Sequence, residues 1–263
     1  MVLSLSGKTR VYYIVGDPIE QVKSPGGMTA GFGTLGMDAV VLPAHVSREA
    51  FATFFAGVKA TQNVDGVIAT VPHKFSIAEQ CDDLTPRARL LGAVNVARRR
   101  ADGTWFGDQV DGLGFVQALR KTGLDPHGVR VLVVGAGGAG SAIAEALLAA
   151  GVGSLAICDQ DGDRRKHLVD RLSTLKLGAV SAASADPAGM DVVVNATPMG
   201  MRAEDPCPVR IASLTAHMVV GDAITVPEIS PLIAAARAAG CRTVTGPEMF
   251  ACVAQHMLRF YTE

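Results

Sequence analysis

Short apolar runs alternate with helix-like segments along the first part of the chain. Three of these runs are rich in Val, Ile, Leu or Tyr and predict strands at residues 10–18, 39–46 and 65–72. A helix is predicted over roughly 48–61. Two further apolar runs, 94–100 and 104–110, flank the turn signal Ala101-Asp102-Gly103 and predict a hairpin. This pattern predicts a mixed sheet packed by helices.

From about residue 121 the apolar runs are separated by helical segments. The stretch 129–151 has the pattern of a buried strand, a glycine turn and a helix that ends at a glycine. Four more strands are predicted at 154–159, 190–197, 217–224 and 242–245. A crossover helix is predicted over 231–240, and a final helix over roughly 247–261 has no strand after it. Because parallel neighbours require crossovers, this alternation predicts a parallel, doubly wound sheet.

The composition is that of a packed protein. The 263 residues are 49% hydrophobic and 19% charged, which excludes a mainly disordered chain. The net charge of −1 gives no general attraction to nucleic acid or to an anionic membrane, so neither is expected as a partner. The five cysteines are scattered and form no CxxC pair. We therefore expect no disulfide framework and no metal site, which fits a reducing cytoplasm.

A glycine-rich turn of the pattern G-x-G-x-x-G lies between a predicted strand and an apolar helix. Its residues are Gly135, Ala136, Gly137, Gly138, Ala139 and Gly140. In such a turn the backbone approaches a pyrophosphate closely, and the helix N-terminus offers N–H groups and a partial positive charge. Asp159 ends the next strand at about the expected offset of ~20 residues. This context favours a dinucleotide site over a purely structural turn.

Asp159 bears on the choice of dinucleotide. A carboxylate at this position can accept both ribose hydroxyls of NAD, whereas the 2′-phosphate of NADP would face a like charge. Arg164 and Arg165 follow closely and are the alternative partners for such a phosphate, although we favour a solvent-facing position for both. The expected cofactor is NAD rather than NADP.

The predicted fold class is therefore α/β with two domains. Residues 1–120 form an N-terminal mixed α/β domain for the substrate, which the C-terminal helix 246–263 completes. Residues 121–245 form a Rossmann-type, doubly wound NAD-binding domain. We expect the final helix to return to the first domain, with a cleft between the two domains.

Two polar residues stand where catalytic groups of a dehydrogenase are expected. Lys74 follows a strand that ends at Pro72, and Asp111 lies just before a predicted helix. An ammonium can stabilise a developing alkoxide and transfer its proton, and a carboxylate can orient the lysine. Each residue also has a structural alternative: Lys74 as a surface lysine and Asp111 as a helix N-cap. These alternatives stay open on the residues alone. His73, beside Lys74, is predicted to face solvent at the strand end.

Seven segments of the sequence resemble, in order and spacing, the signatures of shikimate dehydrogenases. They are GDPIEQVKSP (16–25), GVIATVPHK (66–74), LGAVNV (91–96), GDQVDGLGF (107–115), GAGGAG (135–140), NATPMG (195–200) and GPEM (246–249). The resemblance runs from about residue 11 to the C-terminus. It implies that Lys74 and Asp111 are the catalytic pair.

The resemblance also implies the binding residues. Ser24, Thr70 and Asn95 are the implied substrate contacts, and those of the cofactor are Asn195, Thr197, Met199, Gly246 and Met249. The family's glutamine on the last helix corresponds to Val253. Gln255, two positions later, is included as a substrate residue, although two helical residues are about 200° apart.

Several positions depart from the family pattern. Val22 replaces a serine, Ile68 an asparagine, Gln109-Val110 an Asn-Thr pair and Thr225 a tyrosine. Each lost polar contact weakens binding by about 1–3 kcal/mol. We therefore expect shikimate to be a poor substrate. Quinate, an aminated relative or a less acidic ring alcohol are the alternatives.

The expected function is reversible alcohol–ketone oxidation of a small hydroxylated ring acid with NAD. Two alternatives remain: a relative of methylene-tetrahydrofolate dehydrogenase, and a non-catalytic NAD-binding sensor. A relative of methylene-tetrahydrofolate dehydrogenase would not explain the GDQVDG segment at 107–112. A sensor without catalytic activity would not require both Lys74 and Asp111. A homodimer is compatible with the sequence, which does not fix the oligomeric state.

Overall fold

A computed structural model describes residues 5–202 and 204–263 of the chain. The chain divides into two compact units. Unit 1 comprises the residues up to Val110 together with Ala254–Glu263, and unit 2 comprises Asp111–Val253. No helix in the described part of the chain is long and apolar enough to cross a membrane.

Unit 1 contains a six-stranded mixed sheet in the order β2-β1-β3-β5-β6-β4. Its strands are β1 (Arg10–Gly16), β2 (Ala39–His45), β3 (Val64–Ala69), β4 (Asp83–Leu84), β5 (Val96–Arg99) and β6 (Trp105–Asp108). Its complete helices are α1 (Ser24–Thr34), α2 (Phe51–Ala60), α3 (Lys74–Gln80) and α4 (Pro86–Leu91). The sequence analysis did not predict α3, β4 or α4, which are all short.

The direction of the strands decides which residues share an edge of the unit 1 sheet. β1 pairs in parallel with β2 and β3, whereas β5 runs antiparallel to both β3 and β6. β6 therefore runs in the same direction as β3. The carboxyl ends of β3 and β6 and the start of β5 lie at one edge, and the predicted hairpin is confirmed as β5–β6.

The second half of the last helix supplies part of the unit 1 core. α9 (Gly246–Thr262) carries Tyr261 in its last turn. Tyr261 is 8% exposed and donates from its hydroxyl to the Val67 carbonyl at 3.1 Å. The Tyr261 ring lies 4.9 Å from the ring of Tyr12 and 6.1 Å from that of Phe32, measured between centroids. Tyr261 thus packs directly onto β1 and α1.

Unit 2 contains a six-stranded, all-parallel sheet in the order β12-β11-β10-β7-β8-β9. Its strands are β7 (Arg130–Val134), β8 (Ser154–Cys158), β9 (Ala179–Ala182), β10 (Val192–Asn195), β11 (Val219–Asp222) and β12 (Arg242–Val244). Its complete helices are α5 (Asp111–Lys121), α6 (Gly138–Ala149), α7 (Gly162–Ser173) and α8 (Pro231–Ala238). This strand order is that of the Rossmann fold, as predicted.

The two units do not coincide with the predicted domain limits at residues 120 and 246. Helix α5 groups with unit 2 because it packs on α6, where a Cβ on Gly112 would lie 2.0 Å from the Ala142 carbonyl oxygen. The first half of α9 also groups with unit 2, since Val253 packs against Gly114 of α5. Contacts across helices, rather than the end of a strand pattern, set these limits.

Candidate active site

Backbone hydrogen bonds bring Lys74 and Asn95 to the same edge of the unit 1 sheet. The Val94 N–H donates to the Lys74 carbonyl at 2.8 Å, and the Asn95 N–H donates to the Asp108 carbonyl at 3.0 Å. The Asn95 side chain is 1% exposed, and its Oδ1 accepts from the Val110 N–H at 2.8 Å. Lys74, Asn95 and the end of β6 are therefore neighbours within unit 1.

His73 is buried, so the prediction that it faces solvent is wrong. It is 0% exposed, its Nε2 bonds to the Val46 carbonyl at 2.7 Å, and its ring stacks on Phe51 with a centroid distance of 4.7 Å. No described residue partners its Nδ1. Burial lowers the pKa of His73, and the Val46 bond only partly opposes this effect. The contacts of its ring hold His73 in place at the start of α3, immediately before Lys74.

The other predicted substrate residues of unit 1 occupy different environments. Ser24 is 4% exposed and is the first residue of α1 rather than its N-cap, because Lys23 holds that position without a side-chain bond. Thr70 directly follows β3, and a Cβ on Gly16 would meet its methyl group at 2.4 Å. Gln255 lies on α9 and is exposed.

Asp111 is the first residue of α5 and belongs to unit 2. It is 7% exposed. It directly follows Val110, whose N–H is bonded to the Asn95 amide in unit 1. Adjacent Cα atoms are about 3.8 Å apart, so chain connectivity alone keeps Asp111 next to that bond.

The glycine turn of unit 2 has the geometry that its pattern predicts. Gly135 has φ +107°, where a side chain is strained, and a Cβ on Gly140 would lie 1.9 Å from the Gly135 carbonyl oxygen. By contrast, apart from Gly137 itself and its two chain neighbours, no described heavy atom lies within 4 Å of a Cβ built on Gly137, the N-cap of α6. The open space at Gly137, beside a helix N-terminus without a side-chain cap, fits a pyrophosphate. A dinucleotide whose pyrophosphate was held at this turn would supply the two-electron acceptor for the oxidation of an alcohol.

Asp159 lies directly at this turn. Its Oδ2 accepts from the Ala136 N–H at 2.6 Å, and its Oδ1 accepts from the Asp161 N–H at 2.8 Å. The Arg164 guanidinium is exposed as predicted, yet its Nη1 lies 3.8 Å from Asp159 Oδ2. A carboxylate and a nearby arginine thus share the position expected to meet the ribose.

The predicted cofactor residues at the end of β10 and directly after it form one hydrogen-bonded group. Asn195 accepts from the Thr197 hydroxyl at 2.6 Å and donates to the Met199 carbonyl at 3.2 Å. Its amide also donates to Asp222 at 3.1 Å. Asp222 ends β11 and is 1% exposed. Burial raises its pKa to about 6, although hydrogen bonds from Ser230, Ile224 and Asn195 oppose the shift.

Gly246 and Met249 belong to the first turn of α9. A Cβ on Gly246 would lie 1.9 Å from the Ile224 carbonyl oxygen, so the helix begins against the loop after β11. The side chain of Glu248 accepts from the Thr245 N–H at 2.7 Å, while the Thr245 hydroxyl accepts from the Glu248 N–H at 3.4 Å. This capping box fixes the helix start, and Met249 is 6% exposed just beyond it.

Sequence reasoning missed two buried aspartates. Asp108 is 3% exposed and ends β6, where Arg87 and Thr85 contact its carboxylate. Asp222 was overlooked in the same way. Both are acidic residues at the carboxyl end of an apolar strand, the signal that had already singled out Asp159. That signal could have found them.

Two family models match separate parts of the chain. The model described as shikimate dehydrogenase substrate binding domain matches residues 14–97. The model described as ThiF family matches residues 124–162, which include the glycine turn and Asp159. Both matched segments contain residues that the sequence analysis had selected.

Relatives and solved structures match almost the whole chain. The shikimate dehydrogenase (NADP(+)) of Rubrobacter xylanophilus is 36% identical over 250 residues, 93% of this chain and 88% of that protein. Quinate dehydrogenase from Corynebacterium glutamicum in complex with NAD is 29% identical with a TM-score of 0.85, covering 97% of this chain and 94% of that one. Ligand-free 5-ketofructose reductase of Gluconobacter sp. strain CHM43 is likewise 29% identical with a TM-score of 0.85, and the match covers 97% of this chain and 94% of that one.

The fold, the nucleotide-binding turn and these relatives lead to the same conclusion. This chain is an oxidoreductase of the shikimate/quinate type, which acts on a CH–OH group with a nicotinamide dinucleotide, NAD or NADP. The chain belongs to the shikimate dehydrogenase family.

Proposed function

We propose that Lys74 and Asp111 are the catalytic pair of this dehydrogenase. The observation that carries the proposal is the backbone pairing at the unit 1 sheet edge, which joins Lys74 to Val94. The next residue, Asn95, is bonded to Asp108 at the end of β6 and to Val110, the residue before Asp111. In the oxidation direction the Lys74 amine takes the proton of the substrate hydroxyl, and the ammonium so formed donates to the substrate oxygen; in the reduction direction the ammonium returns that proton. The bound dinucleotide would take the hydride from the carbinol carbon, and Asp111 orients the lysine and accepts a hydrogen bond from the substrate hydroxyl.

Substitution of either residue tests this assignment. Lys74→Met and Asp111→Asn should each lower kcat by about 10²–10⁴-fold, the usual contribution of a positioned acid or base. The matched control is Lys8→Met, which removes an exposed lysine of unit 1. Steady-state kinetics with NAD and the best ring acid provide the measurement. Retention of wild-type kcat in both variants would refute the pair, whereas tight NAD binding without any turnover by the wild type would favour a sensor.

We infer that NAD is preferred to NADP. The Asp159 carboxylate is 10% exposed and bonded to the glycine turn, so a 2′-phosphate placed there would meet a fixed negative charge. Arg164 opposes this effect in part, and the Rubrobacter relative is named for NADP. The Asp159 carboxylate is bonded to the turn backbone at 2.6 Å, whereas the exposed Arg164 guanidinium lies 3.8 Å from that carboxylate. The charge fixed at the turn is therefore negative, which favours NAD.

The ratio of kcat/KM for the two dinucleotides tests the preference. We expect at least a 10-fold ratio in favour of NAD, and Asp159→Asn should reduce it by removing the charge. Asp163→Asn makes the same charge change in the first turn of α7 and should leave the ratio unaltered. Equal use of NAD and NADP by the wild type would end this proposal.

We propose that the substrate is a polyhydroxylated ring acid other than shikimate, or a close analogue with weaker demands on its carboxylate. Val22 and Thr225 stand where the family has a serine and a tyrosine, and Val253 is used in packing against Gly114. The similarity to a 5-ketofructose reductase favours a second candidate, a neutral polyhydroxylated ketone.

A panel of shikimate, quinate and neutral polyols distinguishes these candidates. Val22→Ser restores the lost hydroxyl and should lower the KM for shikimate by about 5–150-fold, equivalent to about 1–3 kcal/mol. Val129→Ser, a half-buried valine of unit 2, is the control. Efficient turnover of shikimate by the wild type would contradict the proposal.

A further inference from the structure

The segment from the end of β6 to Val110 is held by side chains on two sides. On one side, Asn95 accepts from the Val110 N–H at 2.8 Å and its own N–H donates to the Asp108 carbonyl at 3.0 Å. On the other side, the first turn of α4 contacts the same segment. The Thr85 N–H donates to the Gly107 carbonyl at 3.0 Å, and the Thr85 hydroxyl donates to Asp108 Oδ1 at 2.5 Å.

Arg87 completes this arrangement by binding two successive residues. Its Nη2 pairs with Asp108 Oδ2, and its Nε donates to the Gln109 carbonyl at 3.1 Å. The Gln109 N–H in turn donates to Asp108 Oδ1 at 2.7 Å. The Asp108 side chain is 4% exposed and that of Arg87 31%. A rigid guanidinium fork can hold a carboxylate and a carbonyl together, which a lysine ammonium cannot do in the same geometry.

We propose that Arg87 and Asp108 are positioning residues that fix the approach of the chain to Asp111. The inference rests on the proposed catalytic role of Asp111. Asp108, Gln109 and Val110 are the three residues before it, and each is bonded to the α4 turn or to Asn95. The chain therefore leaves unit 1 from a fixed point, one residue before the carboxylate that must be held in a productive geometry.

A second ion pair in unit 1 lies away from the predicted catalytic residues. Arg10 pairs with both carboxylate oxygens of Asp65, and the side chains are 41% and 29% exposed. Arg10 starts β1 and Asp65 is the second residue of β3, so this pair lies at the opposite edge of the sheet from Lys74 and Asn95. It provides a matched control.

Arg87→Lys is the decisive variant because it retains the positive charge beside Asp108 and loses only the fork. We expect kcat to fall by about 10-fold or more, since a displacement of about 1 Å can cost up to 10² in rate. The Kd for NAD, measured by fluorescence titration, should stay within 2-fold. Arg10→Lys should leave kcat unchanged. The double variant Arg87→Met/Asp108→Asn removes both charges and should show a similar fall in kcat.

The outcomes separate this inference from the proposed function. If Asp111→Asn abolishes turnover but Arg87→Lys and the double variant both retain wild-type kcat while folded, the positioning role is refuted and the catalytic pair stands. If Asp111→Asn retains turnover, the proposed function itself fails. An equal fall in kcat for Arg10→Lys and Arg87→Lys would show a general loss of packing and would also overturn the positioning role.

Discussion

Two buried carboxylates, one in each unit, are compensated for the loss of hydration by different partners. Asp108 ends β6 and Asp222 ends β11, and they are 3% and 1% exposed. Each accepts from the hydroxyl of a helix N-cap: Thr85 of α4 at 2.5 Å and Ser230 of α8 at 2.6 Å. Asp108 also pairs with Arg87, whereas no cation among the described residues pairs with Asp222.

The difference shows what neutral donors can and cannot do for a buried charge. Asn195, Ser230 and the Ile224 N–H satisfy Asp222 geometrically, yet burial still raises its pKa to about 6. Hydrogen bonds from neutral groups only partly replace lost hydration. The Arg87 cation compensates the Asp108 carboxylate, whereas neutral donors hold the titrating Asp222, which bonds to Asn195 among the predicted cofactor residues.

The largest expected effect comes from removing the cation of the first pair. Arg87→Met leaves Asp108 buried without its ion pair, and the free energy of unfolding should fall by about 3–5 kcal/mol at pH 7. Urea denaturation followed by circular dichroism provides the measurement. Adding Asp108→Asn should restore much of the loss. A loss no greater than that of Arg10→Met, which breaks a more exposed pair, would contradict this account of Asp108.

The second prediction concerns the charge of Asp222. Its pKa is higher in the folded chain than the ordinary 3.8, so the folded state binds more protons between pH 4 and 6. Stability from this group is present below about pH 4 and is lost as pH rises through about 6. One pKa unit is about 1.4 kcal/mol, so ionisation costs the folded state about 3 kcal/mol.

Asp222→Asn should remove this dependence. Measured by urea unfolding from pH 4.5 to 7.5, the stability of the variant relative to the wild type should increase as the pH rises. Parallel pH profiles for the wild type and Asp222→Asn would mean that Asp222 does not titrate in this range.

The smallest effect separates the two N-cap hydroxyls. Ser230→Ala and Thr85→Val should each cost about 1–2 kcal/mol at pH 7, from one cap and one bond to a carboxylate. At pH 5 Asp222 is largely protonated, so Ser230→Ala should cost less stability at pH 5 than at pH 7. Thermal unfolding at the two pH values checks this. An equal cost of Ser230→Ala at both pH values would contradict the bond between the Ser230 hydroxyl and an ionised Asp222.

The sequence predicted five of the six strands of the unit 2 sheet because long Val- and Ile-rich runs alternate with helices. It did not predict β9, a four-residue edge strand that is largely exposed. It also predicted the β5–β6 hairpin from its Asp-Gly turn. The helices α3 and α4 were missed because segments of seven and six residues are too short to display a helical repeat. The domain limits were displaced because they depend on contacts such as that of Gly112 with Ala142, which no local pattern records.

The residues of the site divide in the same way. The glycine turn and Asp159 follow from a motif with a physical reason, and Lys74 and Asp111 from a resemblance. His73 was misjudged because a histidine beside a strand end has no pattern that reports its burial against Phe51. The bonds of Arg87 to Asp108 and Gln109 join residues about 20 positions apart, and only the folded sheet brings them together.

The position of Tyr261 in the unit 1 core has a consequence for biosynthesis. This ring packs on Tyr12 and bonds to Val67, but it follows the whole of unit 2 along the chain. Unit 1 is translated first, yet its interior stays open until residue 261 has emerged from the ribosome. The last strand of the unit 2 sheet ends at Val244, so this sheet can form during synthesis before Tyr261 closes the core of unit 1, although unit 1 begins first along the chain.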